Sequence, residues 1–72
     1  MNASRREIIR RAVLALTATK TDLEAARDEE QNFLDAMPEP FQRSDKFACG
    51  QEHVDALDAI IEAIEEFESH EL

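Results

Sequence analysis

The sequence has one cysteine, one glycine and two prolines, and it contains no tryptophan or tyrosine. A single cysteine excludes an internal disulfide and is typical of proteins from a reducing compartment. The longest uninterrupted apolar runs have four or five residues, whereas a membrane-spanning helix needs ~20. The chain starts with arginines instead of an apolar stretch and a cleavage site, which argues against a signal peptide. We therefore expect a cytoplasmic protein that does not contact a membrane.

The length limits what the fold can achieve alone. The 72 residues form one domain, 1–72, and a core of this size rarely supplies more than about 3–5 kcal/mol without a disulfide, a metal or a partner chain. Glu66 and His70 stand four residues apart, but two ligands are too few for a structural metal site. We expect no metal and no cofactor, which leaves a partner chain as the stabilising element.

Charge is distributed unevenly along the chain. Residues 1–20 carry a net charge of +4, and residues 21–72 carry −13. Such an acidic surface repels phosphates, so we do not expect direct nucleic-acid binding. We expect a protein partner that has a basic surface. A phosphate-binding arm is the rival interpretation for the four N-terminal arginines, but they lack aromatic stacking residues. They are Arg5, Arg6, Arg10 and Arg11.

The first half of the sequence predicts one long helix over about 4–36. Ser4 and Glu7 have the spacing of a capping box. Apolar or small residues then recur at alternating steps of three and four, with one position skipped at Glu30, which is typical of an imperfect coiled-coil seam. These residues are Ile9, Ala12, Leu16, Thr19, Leu23, Ala26, Phe33 and Met37. A kink near Thr19–Thr21 is the open alternative, because β-branched threonines cluster there.

Both prolines lie in one short stretch, and this stretch predicts a turn over 37–44. Each proline disfavours a helical backbone in the residue before it, so Pro38 ends the first helix and Pro40 keeps Glu39 non-helical. Ser44 is then a suitable cap for a second helix over about 45–69. Phe41 is expected to fold back and cap the end of the helices, and contact with a partner is the alternative.

Two helices joined by so short a turn predict an all-α, antiparallel hairpin that dimerises into a four-helix bundle. The seam of the second helix is Phe47, Gly50, Val54, Leu57, Ile61 and Ile64, and Ile60 and Phe67 widen it. In the hairpin, the arginines at the start of helix one would lie near the glutamates at the end of helix two. Helix one is the longer, so residues 4–11 would overhang. The expected oligomer seam is Ile8, Ile9, Leu16, Leu23, Phe33, Val54, Leu57, Ile61 and Ile64.

Carboxylates on the second helix form the candidate partner-binding face. They recur at helical spacing and are Asp55, Asp58, Glu62, Glu65 and Glu66. Carboxylates on a rigid helix can imitate a phosphate backbone; the alternative is a solvated face that keeps the bundle soluble. Cys49 has His53 one turn later, but no third catalytic group accompanies them, so we do not expect an enzyme. Cys49 is instead expected to be a small buried residue.

A motif around the turn precedes the acidic helix, and its residues are Glu29, Glu30, Gln31, Met37, Pro38, Glu39, Gln42 and Ser44. With this motif, residues 28–68 resemble a group of small acidic proteins encoded in phage and prophage genomes. Pro40, Cys49 and Gly50 depart from the pattern. The resemblance implies an accessory protein that binds and inhibits a host factor in the host cytoplasm. A structural or regulatory subunit that completes a larger helical assembly is the alternative.

Overall fold

The computed structural model describes residues 2–70, and these form a helical hairpin. Helix α1 spans Ala3–Asp35, a short 3-10 helix spans Glu39–Arg43, and helix α2 spans Asp45–Glu68. The two α-helices pack against each other along most of α2. The predicted all-α helical hairpin is therefore confirmed, and both helices begin and end within one residue of the predicted positions.

Helix α1 runs without interruption through its three threonines. Thr19 Oγ1 donates a hydrogen bond to the Ala15 carbonyl at 2.9 Å, and Thr21 Oγ1 donates to the Thr17 carbonyl at 3.4 Å. Each hydroxyl thus finds an acceptor one turn earlier on the same helix, which is a conformation that threonine adopts inside helices. Helix α1 is therefore continuous and does not restart near Thr19–Thr21.

The two helices are capped by different residue types. Ser44 Oγ accepts a hydrogen bond from the Phe47 amide at 3.2 Å, as predicted. The predicted capping box at the start of α1 is wrong: Asn2 Oδ1 accepts from the Arg5 amide at 2.9 Å, and Ser4 already lies in the first turn. Asparagine and serine cap helices about equally well, so the sequence offers two competing starts.

The turn differs from the prediction at Glu39, which was expected to be non-helical. Glu39 precedes Pro40 and nevertheless begins the 3-10 helix, with the Phe41 amide donating to the Pro38 carbonyl at 2.9 Å. Proline is tolerated in the first turn of a helix because the amide that it lacks would have no intrahelical acceptor there. The steric effect on Glu39 is therefore outweighed, and only Pro38 acts as a helix stop.

A small core holds the hairpin together. Its buried side chains are Leu34 of α1 and Val54, Ile61 and Ile64 of α2. Leu34 is 1% exposed and packs against the backbone of Gly50, where a Cβ atom would lie 2.8 Å from Leu34 Cδ2. Glycine at this position thus allows the two helices to approach closely beside the turn.

The predicted seam is largely correct for α2 and partly wrong for α1. In α2, the six seam positions are buried or half-buried, but Ile60 and Phe67, which were expected to widen the seam, are exposed. In α1, Ile9 and Leu23 are half-buried, but Ala12, Thr19, Ala26 and Phe33 are exposed. The residue after each of these four faces α2 instead: Val13, Lys20, Arg27 and Leu34. On this surface of α1, Leu34 is buried, and Lys20 and Arg27 pair with acids of α2.

The hairpin is an extended rod with dimensions of 57 × 15 × 15 Å. Its accessible surface is 5524 Å², whereas a compact monomer of this mass exposes about 4,500 Å². Helix α1 extends past the end of α2, and the exposed Ile8 lies in this overhang, which comprises residues 3–8. The rod therefore leaves more surface exposed than a globular chain of equal size.

Candidate functional site

The acidic surface, Asp55, Asp58, Glu62, Glu65 and Glu66, projects from α2 on the solvent side of the core. Val54, Ile61 and Ile64 are buried on the same helix and fix its orientation. All of these carboxylates except Asp58 belong to exposed residues. Within residues 2–70, none of the exposed four forms an ion pair. A row of unneutralised carboxylates thus stands on a rigid helix.

Asp58 belongs to the hairpin contact more than to the acidic surface. Its Oδ1 accepts a hydrogen bond from Arg27 Nη1 at 3.0 Å, which joins the two helices. Arg27 Nε also donates to Asp28 at 3.1 Å. These two bonds raise the pKa of Arg27, and the bond to Asp58 has the larger effect. Asp58 is therefore half-buried and neutralised, and sequence reasoning gave no sign of this pairing.

A second polar contact joins the helices near the end of α2. Lys20 Nζ donates a hydrogen bond to Glu68 Oε1 at 2.7 Å, and Thr17 Oγ1 donates to Glu68 Oε2. The bond from Lys20, followed by the bond from Thr17, lowers the pKa of Glu68. The same contact raises the pKa of Lys20. Glu68 therefore helps to fix the register of the two helices.

The N-terminal arginines do not pair with α2 as the sequence predicted. Arg11 Nε lies 3.4 Å from Glu7 Oε1, and Arg10 Nη1 lies 3.9 Å from Glu7 Oε2. Neither Arg5 nor Arg6 forms an ion pair with any described residue. The glutamate nearest to them, Glu68, bonds Lys20 and Thr17 instead. Glu71 lies outside the described residues.

The two flanks of the hairpin have different chemistry. On one flank, the Gln31 and Gln51 carboxamides lie 3.4 Å apart, beside the Arg27–Asp58 pair. We call the other flank the apolar side. On this side, Lys46 Nζ of α2 lies 5.9 Å from the centre of the Phe33 ring of α1. The two residues therefore lie on adjacent surfaces of the two helices. At seven-residue intervals the apolar side carries Ala12, Thr19, Ala26 and Phe33 on α1, and Lys46, His53 and Ile60 on α2.

Large apolar residues on this side are exposed to solvent. Phe33 is 52% exposed and Ile60 is 49% exposed. A shallow groove of about 390 Å³ lies beside Phe33 and is lined by Ala26, Glu29 and Glu30. Six of the nine residues of the predicted oligomer seam are thus wholly or partly covered within the chain, since Val54, Ile61 and Ile64 are buried and Ile9, Leu23 and Leu57 are half-buried. Phe33, Ile8 and Leu16 of that seam remain exposed.

The open end of the rod has a further apolar groove of about 360 Å³. It lies between the first turns of α1 and the last turn of α2, and His70 stacks at a tilt beside Phe67, with ring centres 6.4 Å apart. Its lining residues are Ile9, Arg10, Val13, Leu14, Phe67, Glu68 and His70. The groove is a consequence of the unequal helix lengths, which leave α1 uncovered there.

Two predicted burials do not occur. Phe41 is 60% exposed and does not cap the end of the helices, because the 3-10 helix holds it away from the core. Cys49 is exposed and not a core residue, with its Sγ atom 4.0 Å from His53 Nε2. Gly50 occupies the neighbouring core position instead. Among residues 2–70, no group of three histidine, cysteine or acidic side chains is placed to hold a metal ion.

The comparisons with known proteins add no further information. No protein-family model, curated protein or solved structure matches this chain. Within the described residues, neither helix is long and apolar enough to cross a membrane.

Proposed function

We propose that this chain is a non-catalytic protein-binding module that acts as a homodimer and binds a basic protein through the acidic surface. The observation that carries this proposal is that Asp55, Glu62, Glu65 and Glu66 are exposed and form no ion pair with a described residue. A continuous helix presents them, so little backbone conformational entropy is lost on binding. The charge of −9 adds long-range attraction for a basic partner.

The phage-type resemblance supports a more specific form of the proposal. The partner is then a host protein in the cytoplasm, of the class that acts in defence or in nucleic-acid processing, and the chain inhibits it. Proteins of this class have basic grooves for nucleic acid. A row of carboxylates along α2 would occupy such a groove in place of phosphates.

Affinity capture tests this proposal. The immobilised chain is incubated with a bacterial lysate at low and at high salt, and retained proteins are quantified. The test variant replaces Glu62, Glu65 and Glu66 together with glutamine, which removes charge without changing shape. We expect the wild-type chain to retain a basic protein at low salt, the variant to lose it, and high salt to release it.

A matched variant removes the same amount of charge elsewhere on the chain. It replaces three exposed acids outside the acidic surface: Asp22, Glu39 and Asp45. This variant should retain the protein as the wild type does. Equal retention by all three chains, or a wild-type chain that retains no protein, would contradict binding through the acidic surface.

The exposed apolar side favours a second candidate function, that of a structural subunit within a larger helical assembly. In this case Phe33 and Ile60 would contact the other subunits. Substituting Phe33 with glutamate would then abolish partner retention, whereas neutralising the acidic surface would change it little. The two capture patterns are opposite, so one experiment distinguishes the two functions.

A further inference from the structure

One row of residues on α1 is nearly symmetric in size about its centre. At seven-residue intervals it reads Arg5, Ala12, Thr19, Ala26 and Phe33. The two small residues flank Thr19, and the two long residues stand at the ends. A second α1 that runs antiparallel and is centred on Thr19 would therefore place alanine opposite alanine, which permits close helix approach, and Arg5 opposite Phe33, which permits a cation–π contact.

The dimensions of the rod match the area that a stable dimer buries. The apolar side measures 57 by 15 Å, so that full coverage would bury about 850 Å² per copy, or about 1,700 Å² in total, within the usual range of 1,200–2,000 Å² for specific interfaces. A second copy has the same length, and it covers this side from end to end. The overhang with Ile8 is covered as well, because it lies opposite the turn half of the other copy.

The charges select the antiparallel orientation. Residues 1–20 carry +4, whereas residues 21–36 carry six acids against Arg27, a net of −5. In an antiparallel pair, Arg5 and Arg6 of one copy lie within about one helical turn of Glu29 and Glu30 of the other. A parallel pair would instead place the two sets of arginines side by side, at a cost from like-charge repulsion.

We infer that the proposed homodimer forms through the apolar side, with the two α1 helices antiparallel and centred on Thr19. This inference rests on the proposed dimer and specifies its face, orientation and register. It also provides contacts for the exposed Phe33 and for Arg5 and Arg6, which form no ion pair with a described residue. The acidic surface of α2 lies on the other flank of the hairpin, so it stays free for a basic partner.

The molecular mass in solution tests the face. Sedimentation equilibrium over micromolar to millimolar concentrations should give twice the 8.2 kDa chain mass. Ala26→Glu places a charge in the middle of the face and should yield a monomer. Ala25→Glu is the matched control: it makes the same change one residue earlier, at an exposed position outside the row. This control should stay dimeric.

A second variant keeps the test valid if Ala26→Glu disturbs folding, which circular dichroism would reveal. Ile60→Glu lies on α2, on the same apolar side, and should also give a folded monomer. A wild-type chain that is monomeric throughout, a dimer that survives Ala26→Glu and Ile60→Glu, or equal loss of the dimer in Ala25→Glu would each overturn the assignment of this face.

The orientation is tested with the natural cysteine. Cys49 is exposed and is the only cysteine, so a spin label attaches there without mutation. Cys49 lies beside Gly50 and hence near the level of Leu34, which places two labels about 45 Å apart in the antiparallel dimer at 1.5 Å rise per residue. A parallel dimer would bring them within about 25 Å. The shorter distance would overturn the antiparallel arrangement.

The two proposals fail separately. Ala26→Glu leaves every carboxylate of the acidic surface in place, so partner capture by this variant measures the acidic surface alone. If Ala26→Glu remains a dimer while capture still depends on Glu62, Glu65 and Glu66, only the inferred face is wrong. If the dimer dissociates as expected but capture is independent of these acids, only the proposed binding surface is wrong.

Discussion

The side chain of Leu34 packs directly on the backbone of Gly50. A Cβ atom on Gly50 would lie 2.8 Å from Leu34 Cδ2 and 3.3 Å from Leu34 Cδ1. Glu30 Oε1 would lie 3.0 Å away. Glycine is a poor helix former, yet Gly50 lies in the second turn of α2. Its presence is explained by this contact, which draws the two helices together where the chain reverses.

Gly50→Ala should lower the free energy of unfolding. Alanine gains about 1 kcal/mol in helix propensity, but forcing a methyl group against a buried leucine costs about 1–3 kcal/mol. We expect a net loss of about 1 kcal/mol, measured by urea unfolding at a fixed protein concentration. The opposite sign would mean that the helices separate easily at this contact.

Leu34→Val provides the matched background, because valine lacks the δ-methyl groups that the new Cβ would meet. In the Leu34→Val background, the alanine methyl group at position 50 no longer meets the leucine side chain, and the higher helix propensity of alanine remains. Gly50→Ala should then stabilise the protein by about 1 kcal/mol. A reversal of sign between the two backgrounds would confirm the contact, and additive effects would contradict it.

Leu34→Ala and Phe33→Ala should differ widely, although the residues are neighbours. Leu34 is buried, so its truncation costs about 2–5 kcal/mol, which is as large as the whole stability expected for a core of this size. Phe33 is half exposed, and its truncation should cost at most about 1 kcal/mol at dilutions that favour the monomer. Helicity and urea unfolding measure both effects. Equal losses would mean that α1 uses the predicted seam.

The contrast between these neighbours shows why α2 was easier to predict than α1. In α2 the seam positions Val54, Leu57, Ile61 and Ile64 are all apolar, so the hydrophobic pattern identifies the side that faces α1. In α1 two rows compete, and the more hydrophobic row, which includes Phe33, is not the one that faces α2. The choice depends on partners from the other helix, which no pattern within α1 reveals.

The candidate site shows the same limit. Helical spacing correctly placed the carboxylates of the acidic surface on α2, since spacing depends only on the local helix. It did not distinguish Asp58, which pairs with Arg27, from the exposed Glu62. It also placed the N-terminal arginines against α2, because the relative level of the two helix ends depends on the Lys20–Glu68 contact and on the turn geometry.

Asn2→Ala should weaken the start of α1, because Asn2 is its cap. Loss of such a cap costs about 1 kcal/mol. The overhang makes few contacts with α2, so we expect faster amide exchange in the first turn with little change in global unfolding. Ser4→Ala serves as the control and should leave exchange unchanged. Faster exchange only in Ser4→Ala would restore the capping box as the helix start.

The Lys20–Glu68 contact should make stability depend on pH. The pKa of Glu68 is lowered in the folded chain, so its contribution is present above the ordinary glutamate pKa and is lost as the pH falls through the lowered value. The pKa of Lys20 is raised, so its contribution is lost only as the pH rises through that raised value. We expect Glu68→Gln to be less stable than the wild type near neutral pH, and the difference to vanish in acid.

Glu66→Gln is the matched control for this pH dependence. It removes an equal charge two residues earlier, from an exposed position without an ion pair among the described residues. In a chain with a net charge of −9, removing any carboxylate also relieves repulsion, and the control measures that part alone. Thermal unfolding at a series of pH values compares the three chains. If Glu66→Gln and Glu68→Gln follow the same curve, then general repulsion accounts for the effect, and the contact with Lys20 does not fix the helix register.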